Sequence, residues 1–302
     1  MKAAIAAAVL LLAACTTEPT QHLPAPRPAP PPAPQFVPPA GFTKLRLSLV
    51  PYASAEELKA AHGPLVAWLS MKLKVPVELV ISENYDDAAA KLQKGEVDLV
   101  EMSSYAYVRA QKWLKLRPLV TAIADGSATA GGYIIVRQDS PLRRLEDLKG
   151  SAFGFVDPAS AAGYLYPLKL LKDRGLDPKS LFASTQFMGN HENVLMAIYE
   201  GAIDAGATYE GSLPALRRSK KIDPLNFRII AKTPRTPRDL YCVRADLPPA
   251  IAEQLTTLFL GLSSRDRHGR EVLAPLSVNG FLPFDDRLYD GVRAAAAEVD
   301  AQ

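Results

Sequence analysis

Ser160, His191 and Asp204 are the residue types of an acyl-transfer triad, in which a base takes the serine proton and an acid orients that base. Such a serine must also stand on a sharp, exposed turn, and no G-x-S-x-G elbow surrounds Ser160. Metal chemistry is no better supplied. None of the four histidines, His22, His62, His191 and His268, has a second ligand at a metal-binding spacing. The chain also lacks a Walker-type loop and a G-x-G-x-x-G turn, so neither an enzyme nor a resident cofactor is expected.

Anion capture fits the same residues better. Tyr85, Ser160 and His191 each fall where a helix should begin. The first turn of a helix leaves backbone N–H groups without partners and carries the positive end of the macrodipole, so a side-chain donor there can help to hold an oxyanion. The pattern is fullest around Ser160. Phe153–Val156 reads as a buried strand, Asp157-Pro158 stops it, Ser160 stands at the N-cap, and Ala161, Ala162 and Gly163 are small enough for a ligand to approach the backbone. Each residue also has a plainer role: Ser160 and His191 as capping residues, Tyr85 as a half-buried aromatic. Binding is favoured by three helix starts converging on one cleft.

The elements that must position these residues are α/β units. Lys44–Val50 reads as a strand, Ala55–Leu73 as a helix with Leu58, Leu65, Trp68 and Leu69 on one face, and Val75–Ile81 as a second strand, a β-α-β unit of a parallel sheet. Next come a helix from Tyr85 to Leu92, a stop at Gly95, and a strand at Val97–Val100 that runs into Met102-Ser103-Ser104-Tyr105. The pattern returns. Thirteen positions separate Tyr85 from Asp98 and also His191 from Asp204, each with a glycine, Gly95 or Gly201, ending the helix. The loop after the second strand is Thr208-Tyr209-Glu210-Gly211, so Ser103, Ser104 and Glu210 join the candidate ligand contacts. Tyr133–Val136 reads as a strand whose following break, Arg137–Pro141, suits a crossing between lobes. Leu240–Val243 suits the return. Residues 44–136 with 241–302 are thus expected to form one lobe and 137–240 the other, with the chain's last helices packed on the first lobe. The ligand cleft is expected between them, at the carboxyl ends of strands.

A net charge of +3, with no run of five basic residues, gives no reason to expect a nucleic-acid partner. The start of the chain is more telling. Lys2 precedes an apolar stretch, Ala3–Leu12, too short to span a bilayer, and Leu12-Ala13-Ala14-Cys15 resembles the lipobox of bacterial lipoproteins. This implies a signal peptide at 1–14, cleaved before Cys15, whose sulfur carries the lipid that anchors the protein to a membrane on its periplasmic side. Ten of the 22 residues from Pro19 to Ala40 are proline, so residues 15–43 are expected to be an extended tether. Cys242 is the one other thiol, read as a buried apolar residue.

Three motifs together carry a family likeness: Asp157-Pro-Ala-Ser160 through Gly163-Tyr-Leu-Tyr-Pro167; Asn190-His-Glu192 with Gly201-Ala-Ile-Asp204; and Tyr85 with Gly95-Glu-Val-Asp98. From about Leu45 to Phe284 the chain resembles the phosphate/phosphite/phosphonate substrate-binding proteins of ABC transporters. The resemblance implies an α/β, two-lobed type II periplasmic binding protein fold with a two-strand hinge and closure around the ligand. It implies a monomer that binds a small oxyanion through Tyr85, Ser160 and His191, with Asp239 reaching in from the hinge side, and passes it to a permease. A sensor of the same fold serving a signalling receptor and an enzyme built on it are the alternatives. The family often has Ser-Thr-Ser where this chain has Ser160-Ala161-Ala162. Two neutral hydrogen bonds worth about 0.5–1.5 kcal/mol each are lost, enough to weaken binding by an order of magnitude or to signal another ligand. The acid that holds an aminophosphonate's ammonium group in some members aligns with Gly211, with Glu210 one residue away, so aminoethylphosphonate is not carried over.

Overall fold

The computed structural model describes residues 36–300; the expected signal segment, Cys15 and the tether up to residue 35 lie outside the described residues. From there the chain lays down β1 (Leu45–Leu49), α1 (Ala55–Leu73), β2 (Val77–Ile81), α2 (Tyr85–Gln93), β3 (Leu99–Met102), α3 (Ser104–Ala110) and β4 (Leu116–Ile123). β1 lies between β2 and β3, parallel to both. Leu45, Leu47 and Leu49 therefore enter a core shared with α1, while Ser48 on the opposite face is satisfied by the Ser82 hydroxyl at 2.8 Å.

The chain then crosses through β5 (Thr129–Ala130) into β6 (Gly132–Arg137), β7 (Ala152–Phe155), a π-helical turn at Ala161–Leu165, α4 (Tyr166–Asp173), α5 (Pro178–Leu181), β8 (Ser184–Phe187), α6 (His191–Tyr199), β9 (Ala205–Tyr209), α7 (Ser212–Lys220) and β10 (Phe227–Lys232). It returns through β11 (Thr236–Pro237) to β12 (Leu240–Arg244), α8 (Pro249–Gly261), α9 (Arg267–Leu273), β13 (Gly280–Pro283) and α10 (Asp290–Asp300). The first lobe's sheet has the order β13-β4-β12-β3-β1-β2 and the second lobe's β10-β6-β9-β7-β8. β5 and β11, one from each crossing, pair antiparallel and form the hinge.

Three features depart from the expectations. β6, assigned to the first lobe, pairs with β9 and β10 in the second sheet, so the crossing lies before Gly132; the break after Val136 that suggested it is only a surface connection to β7. β4 was masked by Arg117-Pro118. Proline cannot donate to a ladder, and here it sits beside a bulge at which the register with β12 shifts between Tyr241 and Cys242. The end of the chain is not solely helical or solely attached to the first lobe: β13 lies at the sheet edge, and α10 packs on α3 and also on α4 and the π turn of the second lobe.

The repeat is deeper than the thirteen-residue match. At an offset of 106 residues, Ser54 and Ser160 both cap the helix after the first strand, accepting from the N–H of Glu57 and Gly163. Asn84 and Asn190 cap α2 and α6 in nearly the same extended conformation. Gly95 and Gly201 end those helices at φ of +68° and +76°, a region costly for residues with a Cβ. Asp98 and Asp204 do one job in both lobes. Each donates its N–H to the carbonyl of a strand-entry residue, Arg46 or Ala152, and accepts that residue's N–H on its carboxylate.

Asp98 does more than its counterpart. Its buried carboxylate also takes the guanidinium groups of Arg46 at 2.8–2.9 Å and Arg244 at 3.0 Å, tying β1 to β12. Burial works against the charge, but these donors outweigh it and hold the Asp98 pKa below the usual carboxylate range. Removing one partner of such a buried network typically costs about 3 kcal/mol, so Asp98→Ala should be destabilised by that order. With a depressed folded pKa, the contribution is complete above the unfolded value near pH ~4 and fades as pH falls through the folded value. Chemical denaturation of both proteins should therefore show a constant gap at neutral pH that narrows in acid.

Candidate ligand cleft

All nine residues expected to touch a ligand, Tyr85, Ser103, Ser104, Ser160, Ala161, Ala162, His191, Glu210 and Asp239, line one cavity of about 510 Å³ between the lobes. The local folding that brings them there is clearest at Ser160. Its hydroxyl accepts from Gly163 N at 3.0 Å and lines the same cavity as Tyr85 of the other lobe. Only glycine fits at 163, where a Cβ would lie 2.4 Å from Val156 Cγ2. The turn that follows is π-helical, closed by Leu165 N to Ser160 O at 3.1 Å. A wider first turn leaves more amides unbonded, and those of Ala161 and Ala162 have no acceptor among the described residues.

The other two helix starts are used differently from the sequence expectation. The first amide of α2, Tyr85 N, faces Asp157 Oδ2 of the second lobe at 3.4 Å, and the first amide of α6, His191 N, donates to Tyr52 O of the first lobe at 3.1 Å. These ends turn their side chains to the cavity, while their leading N–H groups join the lobes. Ser103 spans the cleft too, donating to Ala159 O at 2.9 Å, and Ser104 shares a 2.9 Å hydrogen bond with Thr236 of the hinge strand β11. Glu210 is held by Arg235 and Arg238, both at 3.3 Å, so its carboxylate is an ion-pair partner of the returning crossing.

His191 is buried, and burial pushes its imidazole down to about 3, so it works as a neutral ring. Nδ1 lies 3.0 Å from the Thr208 hydroxyl, and Nε2 has no protein partner among the described residues. With Thr208 donating to Nδ1, Nε2 carries the proton and is available as a donor. Tyr85 is likewise kept as a neutral phenol by burial.

A second group of residues that the sequence reading missed lies on the cavity wall and directly behind it. His62, wholly buried in α1, has Nδ1 3.0 Å from Leu58 O and Nε2 2.7 Å from Glu101 Oε2. Two acceptors require two N–H donors, so the geometry selects the imidazolium. Burial opposes that charge, yet the carboxylate of Glu101 outweighs it and the His62 pKa is raised. Glu101 in turn lines the cavity beside Asp239. The accessible edge of Asp239 faces that cavity, its carboxylate meets no hydrogen-bond donor among the described residues, and burial together with the nearby Glu101 lifts it to about 7. Tyr52, Glu57 and Arg218 belong to the polar lining that was not foreseen, as do Asp125, Tyr209 and Arg238. The available signals were a glutamate in the otherwise apolar run Leu99–Met102 and a tyrosine just beyond the end of a parallel strand.

Two α/β lobes, a two-strand hinge and an interlobe cavity built from helix starts define a type II periplasmic binding protein. The sequence profile of the family described as ABC transporter, phosphonate, periplasmic substrate-binding protein matches residues 47–289, and the chain belongs to that family. It is 27% identical over 280 residues, 86% of its length, to the phosphate-import protein PhnD of Mycolicibacterium smegmatis, covering 87% of that protein. It is 24% identical to the phosphonates-binding periplasmic protein of Escherichia coli over 80% of this chain and 71% of that one. The structure of PhnD1 from Prochlorococcus marinus in complex with methylphosphonate superposes with a TM-score of 0.78 at 20% identity, over 85% of this chain and 98% of that one, and so shares the fold.

Asp239 gives a pH signature. Because its folded pKa lies above the unfolded value, the folded state holds the extra proton, and stability falls as pH rises between about 4 and 7. Asp239→Asn removes this penalty. Its melting temperature relative to wild type should rise between pH 5 and pH 8, measured on the ligand-free protein.

Proposed function

We propose that the chain is a lipid-anchored extracytoplasmic binding protein that captures a phosphorus oxyanion, phosphonate, phosphite or phosphate, between its lobes and passes it to the permease of an ABC importer. The observation that carries this reading is the meeting of Tyr85 from one lobe with Ser160 and His191 from the other on a single cavity, beside the unbonded amides of Ala161 and Ala162. A neutral imidazole, a phenol and backbone N–H groups are donors that impose no countercharge, and oriented donors of this kind suit an anion taken from water. The names of the relatives, a phosphate importer and a phosphonates-binding protein, support the same ligand class. A ligand that bonds both lobes at once stabilises the closed arrangement and shifts the open–closed equilibrium by its differential affinity. Asp239, protonated up to neutral pH, is then a further donor on the hinge side.

Isothermal calorimetry on the purified chain tests the reading. At least one of phosphate, phosphite and methylphosphonate should bind, and His191→Ala should weaken that binding about tenfold, the loss of a donor worth about 1.4 kcal/mol. Silence across the three ligands overturns it.

The anchor rests on Leu12-Ala13-Ala14-Cys15 and the proline-rich segment behind it. Expressed in a bacterium, the wild-type chain should sediment with membranes and Cys15→Ser should move to the soluble fraction. Equal membrane association of the two would remove the anchor from the proposal.

A further inference from the structure

β3 carries Glu101 onto the cavity wall between Val100 and Met102, both wholly buried, and leaves the glutamate side chain 11% exposed. A carboxylate at such a place repels an anionic guest, the more so because a partly buried site screens charge poorly. It must take up a proton or have a cation fixed against it.

The cation stands behind the wall. His62 lies on the apolar stripe of α1 with Leu58, Leu65 and Leu69, all wholly buried, and does not reach the cavity itself. A histidine buried for packing alone is satisfied as a neutral ring, with one N–H donor and one acceptor nitrogen. Here both ring nitrogens face acceptors. The Leu58 carbonyl, one turn earlier, takes Nδ1–H at 3.0 Å and so fixes the rotation of the ring, and the Glu101 carboxylate takes Nε2–H at 2.7 Å. The other titratable groups facing the pair are Tyr52, with its ring centre 6.3 Å from that of the imidazole, Tyr241 and Asp239. Burial keeps both phenols neutral and Asp239 is an acid, so none of the three supplies positive charge.

We propose, on the anion reading of the cleft, that His62 is a positioning residue for charge selection. Its imidazolium cancels Glu101 on the cavity wall, and without it the cleft turns against the negatively charged guests it otherwise admits. A residue that the guest never touches thus decides which sign of guest is held.

Calorimetry with phosphate, phosphite and methylphosphonate on the full chain tests this in the wild type, His62→Gln and the His62→Gln, Glu101→Gln double variant, with thermal melts confirming that each is folded. His62→Gln keeps an N–H donor toward Glu101 and loses the charge. At pH 7.5 it should bind the tightest of the three probes at least fivefold more weakly than wild type, and at pH 5.5, where Glu101 without its partner takes up a proton, the gap should shrink to about twofold. Adding Glu101→Gln should restore the affinity at pH 7.5 to within twofold of wild type, which a purely structural role of His62 does not allow. If His62→Gln fails to fold, the ring itself decides: nitrogen NMR on the ligand-free wild type should show both ring nitrogens of His62 protonated at pH 7.5. A neutral ring, or a double variant as weak as His62→Gln, overturns the assignment and leaves the oxyanion reading standing. Silence across the three probes in the wild type overturns both.

Discussion

A helix cannot begin without leaving N–H groups that its own turns do not bond, and burying such a group without an acceptor is costly. The architecture of this molecule follows from where those groups find partners. Capping residues take the later amides: Asn84, Asn190, Ser103 and Ser160 each accept from the backbone N–H three residues on. The leading amides of α2 and α6 find theirs on the opposite lobe, in the Asp157 carboxylate and the Tyr52 carbonyl. The π turn after Ser160 leaves the amides of Ala161 and Ala162, both on the cavity, without an acceptor among the described residues. Separation of two lobes joined in this way takes protein acceptors from Tyr85 N and His191 N and gives them water. The contacts that shape the cleft are therefore also the contacts that closure makes.

The charges around the cavity follow a second constraint. Five carboxylates line it, and four of them, all but Asp125, are compensated. Glu210 is neutralised by two arginines, Glu101 by the imidazolium of His62, and Asp239 and Glu57 by pKa values raised to about 7. For Glu57 burial is the main cause, with the neighbouring Glu192 of the other lobe adding to it. Protons and ion pairs thus remove from the cavity most of the negative charge that its lining residues would carry.

What could be read from the sequence was local. The helix starts at Tyr85 and His191, the strand-turn-cap around Ser160, and the Gly-x-x-Asp endings are written in consecutive residues, and the structure brings the side chains chosen on that basis to one cavity. What was missed depends on tertiary neighbours. His62 looked idle because its partner, Glu101, lies 39 residues further on in another element. β4 was hidden by a proline that only a bulge could accommodate, and β6 was given to the wrong lobe because a turn sequence after it resembled a crossing. The helix-start amides could be counted from the sequence, but whether each would meet a ligand or the opposite lobe required the geometry between lobes.

The order of strands in the first sheet has a consequence for how the chain is built. β12 sits between β3 and β4, and β13 closes the far edge, yet both are encoded after the whole of the second lobe. A polypeptide emerging from its amino end therefore completes the later-encoded, uninterrupted sheet while the earlier one still has a gap at its centre and unpaired edges open to misassociation. The nested lobe is the natural first foldon, and the outer lobe stays a half-built template until residues 240–244 arrive to fill it. The last stretch of chain thus acts as the keystone of the domain that was begun first.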